Sequence, residues 1–108
     1  MNVVLPLRIE SELNKRGHWG VKARRTKALR AAMIALPAGL PVPCVVTLTR
    51  IAPRALDGDN LQGAFKAVCD GIADRLGIDD RDPRVRWVYS QERGRVKEYA
   101  VRIEVTKA

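Results

Sequence analysis

All seven aspartates of this 108-residue chain fall between Leu56 and Asp82. Asp57 and Asp59 open that window with one glycine between them, and Asp79, Asp80 and Asp82 close it. Carboxylates set this close repel one another unless a cation or hydrogen bonds compensate them. Mg²⁺ suits such a group, because it accepts a few carboxylates and keeps waters for substrate phosphates. A pair of such ions can activate water and stabilise the leaving oxygen of a phosphodiester. Asp-Gly-Asp-Asn is equally a good turn and helix-cap sequence, so the residues alone leave both readings open. An extended link through Gly58 would project Asp57 and Asp59 to one face, whereas a turn there would splay them.

The elements around the window must position it. Leu61, Phe65, Val68, Ile72 and Leu76 recur at fours and threes, which predicts one helix from about Asn60 to Leu76 with a continuous buried stripe. Asp59 or Asn60 can cap it, and Gly77 can close it. Gly63 and Gly71 lie inside and cost about 1 kcal/mol each in propensity, so tertiary packing must hold this helix. About 16 residues of helix span roughly 24 Å. The two aspartate groups therefore sit at opposite helix ends unless the following loop doubles back, the helix is shorter, or a second subunit contributes.

Before the window, residues 3–9 (VVLPLRI) read as a strand with Pro6 at an edge or bulge. Residues 11–20 read as a polar loop, and 21–36 as a helix with Leu29, Ala32, Met33 and Leu36 on its apolar side, ended by Pro37, Gly39 and Pro41. Residues 44–49 (CVVTLT) read as a central strand. After the window, Val85, Trp87 and Tyr89 alternate with polar or small neighbours, Arg93-Gly94-Arg95 suits a hairpin turn, and 99–105 alternates again. The order β-α-β-α-β-β predicts an α+β fold: a single domain over 1–108 with two helices packed on a small mixed sheet.

The rest of the chain is basic, with a formal charge of +8. Seven Lys or Arg and no acid lie between Lys15 and Arg30. On a helix Arg24, Lys27 and Arg30 form a ridge, with Lys22 at its open end. Together with Asn14, Lys15 and Arg16 in the preceding loop, this is a candidate surface for nucleic-acid phosphates. The plain alternative is a solvated helix face. His18 lacks Cys or His partners at metal spacing. Trp19 suits either base stacking or a lid on the core. Cys44 and Cys69 sit in separate apolar runs without CxxC spacing and are expected as buried, reduced thiols. No apolar run is long enough to cross a bilayer, and a cytoplasmic location is expected.

Asp57-x-Asp59-Asn60-Leu61-Gln62, then a helix, then Asp79-Asp80 followed shortly by a valine-led strand, resembles the RusA family of Holliday junction resolvases, endodeoxyribonucleases of phages and prophages. The outline covers most of the chain; the motif is specific only over 57–80. The resemblance implies a small α+β homodimer that cuts four-way double-stranded DNA junctions with Mg²⁺, for which Mn²⁺ can substitute. It implies Asp57, Asp59 and Asp80 as metal-binding carboxylates, with Asp79 beside them. A lysine usual in the family four residues after the second aspartate is replaced here by Gly63. Lys66, three residues further on, is the candidate contact to phosphate or transition state. Two symmetric cuts also call for two sites related by a two-fold axis. A catalytically silent DNA-binding protein of the same fold, or a small phage-derived structural protein, are the alternatives.

Overall fold

Alternating apolar residues and branched side chains produce the four strands. The computed structural model describes residues 1–10 and 19–108, with side chains for 1–10 and 23–108. The elements run β1 (Asn2–Leu5), α1 (Trp19–Ala32), a 3₁₀ turn (Met33–Ala35), β2 (Cys44–Ala52), α2 (Gly58–Ala64), α3 (Lys66–Leu76), β3 (Val85–Arg93) and β4 (Ala100–Lys107). They make a small α+β domain whose mixed sheet has the order β1-β4-β2-β3. Strands β2 and β3 are parallel, from Cys44↔Val85 to Ala52↔Arg93, and β4 is antiparallel to both β1 and β2.

The sheet buries one face against the helices. Val46 and Leu48 of β2 and Val101, Ile103 and Val105 of β4 meet Met33, Leu36, Phe65, Val68 and Ile72 in one core cluster. Cys44 and Cys69 are free thiols within it. No helix among the described residues is long and apolar enough to cross a membrane.

Four local expectations change. The first strand is shorter than 3–9 because it ends at Leu5, just before Pro6, which has no amide to donate to a ladder. Residues 33–35 tighten into a 3₁₀ turn rather than continuing the first helix. The helix over 60–76 is two helices, broken at Phe65 (φ −87°, ψ −3°). Phe65 stays fully buried, so the apolar stripe passes through the break undisturbed. Finally, β3 and β4 are not a hairpin. Strand β2 lies between them, and the 94–99 connection crosses the end of β2, where the Gly94 amide donates to the Ala52 carbonyl at 2.8 Å. Alternation identifies strands but carries no information about which strand pairs with which.

The two glycines expected to weaken the second helix have opposite roles. A Cβ on Gly71 would lie 2.5 Å from the Arg30 carbonyl oxygen and 2.6 Å from Met33 Cγ, so this glycine permits the close crossing of α1 and α3. A Cβ on Gly63 would meet nothing within 4 Å. Gly63→Ala should therefore stabilise the fold by about 0.5–1 kcal/mol through helix propensity alone. Calorimetry should show a melting temperature raised by roughly 2–6 °C.

Candidate functional site

The parallel pair β2 and β3 delivers the first aspartates. Strand β2 ends at Ala52, a loop follows, and Asp57 caps α2 with an extended backbone (φ −63°, ψ 157°). Asp57 makes no side-chain capping bond, and both it and Asp59 are exposed. Gly58 is already helical, so the cap is Asp57 rather than Asp59 or Asn60. Residues two apart at the start of a helix do not face one another. The extended, converging arrangement of Asp57 and Asp59 is not the one adopted.

Two polar side chains that sequence patterning missed hold this approach in place. Gln91, at a core-facing position of β3, accepts from the Leu56 amide at 2.9 Å and donates to the Leu56 carbonyl at 2.8 Å. Its amide thus satisfies both backbone groups of the residue before Asp57. Arg50, 6% exposed on β2, donates from Nε to the Ile9 carbonyl at 3.1 Å and from Nη1 to the Arg54 carbonyl at 2.6 Å. Burial pulls its pKa below the usual guanidinium range. Both residues interrupt inward-facing apolar positions of a strand, and a polar residue at such a position is the sign by which they could have been found.

The second aspartate group returns along α3. Lys66, in the first turn of that helix, donates to Asp70 at 2.9 Å and to Asp80 at 2.5 Å. The loop after Gly77 therefore doubles back, and it is fixed on the sheet side by Trp87 Nε1 donating to the Asp80 carbonyl at 3.1 Å. Asp70, one helical turn beyond Lys66, is a member of this cluster that the motif did not include. The Lys66 amine, beside Asp80 and then Asp70, is held above its ordinary pKa. Asp80 is held below the usual carboxylate range, chiefly by Lys66. Behind them burial pushes the Cys69 thiol up to about 11, so it stays protonated with Tyr89 Oη 3.8 Å away.

Asp79 and Asp82 shape the loop. Asp79 accepts from the Arg81 amide at 2.9 Å. Asp82 accepts from the Arg84 amide at 2.9 Å and from its guanidinium at 2.7 and 3.0 Å, which lowers its pKa to about 2. Among the described residues no three His, Cys, Asp or Glu side chains group closely enough to hold a metal ion.

Lys66→Met should raise the titration midpoint of Asp80, read by carboxyl carbon NMR. The folded pKa lies below the unfolded one, so the pair contributes above about pH 4 and is lost as pH falls through the folded value. Exposure keeps that contribution small.

On the basic side, Arg24 and Lys27 are exposed along α1. Arg30 is engaged, donating to both oxygens of Asp74 at 2.6 and 2.8 Å. This bidentate pair lies at the α1–α3 crossing, in a pocket of about 350 Å³ also lined by Lys27 and Arg75. Of the ridge expected from Arg24, Lys27 and Arg30, Arg30 is thus bound to Asp74, while Arg24 and Lys27 have no ion-pair partner among the described residues. The candidates Asn14, Lys15 and Arg16 lie outside the described residues, as does the Lys22 side chain.

No protein-family model matches the chain. It is 40% identical to an uncharacterized protein of Xylella fastidiosa (strain Temecula1 / ATCC 700964), over 63% of this chain and 52% of that protein, so the match spans about half of the relative's length.

Proposed function

We propose that this chain is a RusA-like endodeoxyribonuclease that resolves four-way DNA junctions as a homodimer with Mg²⁺. The observation that carries this reading is the return of Asp80 to Lys66 at the head of α3. The obstacle posed by the helical stretch between the two aspartate groups is reduced by the doubling back of the 77–84 loop, which returns Asp80 to the head of α3. Lys66 then stands beside Asp80, at the end of α3 nearer α2 and Asp57, and can take a scissile phosphate there.

A three-carboxylate metal cage does not fit the described residues. Mg²⁺ needs only one or two protein carboxylates when phosphates and waters complete its shell. An exposed carboxylate at the head of α2, Asp57 or Asp59, suits that donor set, although the two do not face one another, and Asp80, bonded to Lys66, acts through that lysine. When bound, the ion supplies Lewis acidity and an activated water. Arg24 and Lys27 hold DNA backbone, and Asp79 keeps the Asp80 turn in shape.

One observation favours a second reading. With Gly58 helical and Asp80 paired to Lys66, the same chain suits a DNA-binding protein without catalysis. Incubation with a synthetic four-way junction, alongside calorimetric Mg²⁺ titration, separates the two. Paired nicks that require Mg²⁺ support the nuclease. Salt-dependent binding with neither metal uptake nor cleavage replaces it by the silent binder, and absence of binding removes both.

A further inference from the structure

Among the described residues Val96 is the most exposed large hydrophobic one, 86% open to solvent against 73% for Ile34 and 52% for Val4. Water gains nothing from an aliphatic side chain at a loop tip, and its two neighbours are the exposed cations Arg95 and Lys97. The loop is a built turn. The Arg95 amide donates to Glu98 Oε1 at 2.8 Å, and the Glu98 amide donates to the Arg95 carbonyl at 3.0 Å. Lys97 adopts φ 62°, a left-handed conformation uncommon for a residue with a side chain. The one carboxylate in the loop, Glu98, therefore faces the loop's own backbone.

The loop's base fixes where the tip stands. Gly94 is bonded to Ala52 at the end of β2, and Gln91, three residues earlier, grips Leu56 next to Asp57. The tip thus rises from the same end of the sheet as the first aspartates. We propose that residues 93–98 form a DNA-contacting tip, in which Val96 enters between bases at a helical discontinuity while Arg93, Arg95 and Lys97 take the flanking phosphates. An aliphatic wedge between cations is the combination by which proteins unstack and kink DNA steps, and a branch point offers steps already weakened. The proposal rests on the reading that branched DNA is the partner, but it does not require cleavage.

The test uses a four-way junction carrying 2-aminopurine at the branch, with a plain duplex and phosphatidylglycerol vesicles as comparison probes. Wild-type protein should raise the 2-aminopurine fluorescence of the junction, and Val96→Ser should abolish that rise. The double variant Arg95→Ala, Lys97→Ala should weaken junction binding at least tenfold and flatten the dependence of log K on log salt by about 1 for each cation removed. All three positions are exposed, and circular dichroism of each variant controls for folding. Unchanged fluorescence and salt slope in the variants, with junction binding intact, overturn the tip while leaving the nuclease reading standing. Loss of binding in the variants without any Mg²⁺-dependent cleavage in wild type keeps the tip and removes the nuclease. Binding to vesicles but not to DNA overturns both.

Discussion

Asp59→Asn should abolish Mg²⁺-dependent cleavage of a four-way junction and leave junction binding equally tight or tighter. The substitution keeps the size of an exposed residue in the first turn of α2 and removes one negative charge. Losing that charge weakens repulsion of phosphate but deprives the ion of a hard oxygen donor. A catalytic ion supplies several kcal/mol of transition-state stabilisation, and each 1.36 kcal/mol is tenfold in rate, so the loss should exceed roughly a hundredfold. Asp80→Asn should act in the same direction by a different route, since it also weakens the hold on Lys66. Single-turnover cleavage with electrophoretic binding on the same junction checks both. An Asp59→Asn protein that cuts at the wild-type rate would remove Asp59 from the chemistry.

Gly71→Ala should be the most damaging small substitution in the fold. The added methyl meets the Arg30 carbonyl at 2.5 Å and Met33 Cγ at 2.6 Å. A flexible side-chain end could turn away, but a helix backbone cannot without moving α1. Overpacking of this kind costs about 3 kcal/mol at the upper end of its usual range. Helix propensity returns about 1 kcal/mol. The net loss of about 2 kcal/mol should lower the melting temperature by roughly 8–15 °C. Chemical denaturation of Gly71→Ala beside Gly63→Ala makes the comparison sharp, because one substitution in adjoining helices should have opposite signs. A neutral Gly71→Ala would mean that the helices cross farther apart.

That contrast also marks what a sequence can express. Both glycines carry the same propensity cost, and only the crossing with Arg30 and Met33 tells them apart. Element types were readable because each is a local pattern: the stripe through Leu61, Phe65, Val68 and Ile72 is apolar whether or not the helix breaks at Phe65. Strand order was not readable. Pairing of β2 with β3 rather than β3 with β4 is decided by the crossover through α2 and α3, a contact between residues some forty positions apart. In the site, Asp57 and Asp59 were visible by type, but a helix was expected only from about Asn60, and a helical Gly58 was neither the extended nor the turn alternative. Lys66 stood out only as a lysine three residues after Gly63, and its bond to Asp80 depends on a loop reversal that no spacing encodes. Gln91 and Arg50 stayed hidden because their partners are backbone carbonyls and amides, which every sequence contains.

The position of β4 bears on how the chain folds as it is made. Strand β4 is paired to β1 on one side, Asn2 with Glu104, and to β2 on the other. Among the described strands, β1 therefore has no neighbour until β4 has been synthesised. Contacts of such sequence separation are slow to form, because loop-closure entropy must be spent before they reward it. A nascent chain up to β3 can assemble the parallel pair β2–β3 with its crossover helices, but it still exposes the flank of β2 that β4 covers. The sheet is completed after translation of its last strand, and the interval before that is when an unpaired edge invites association with another chain.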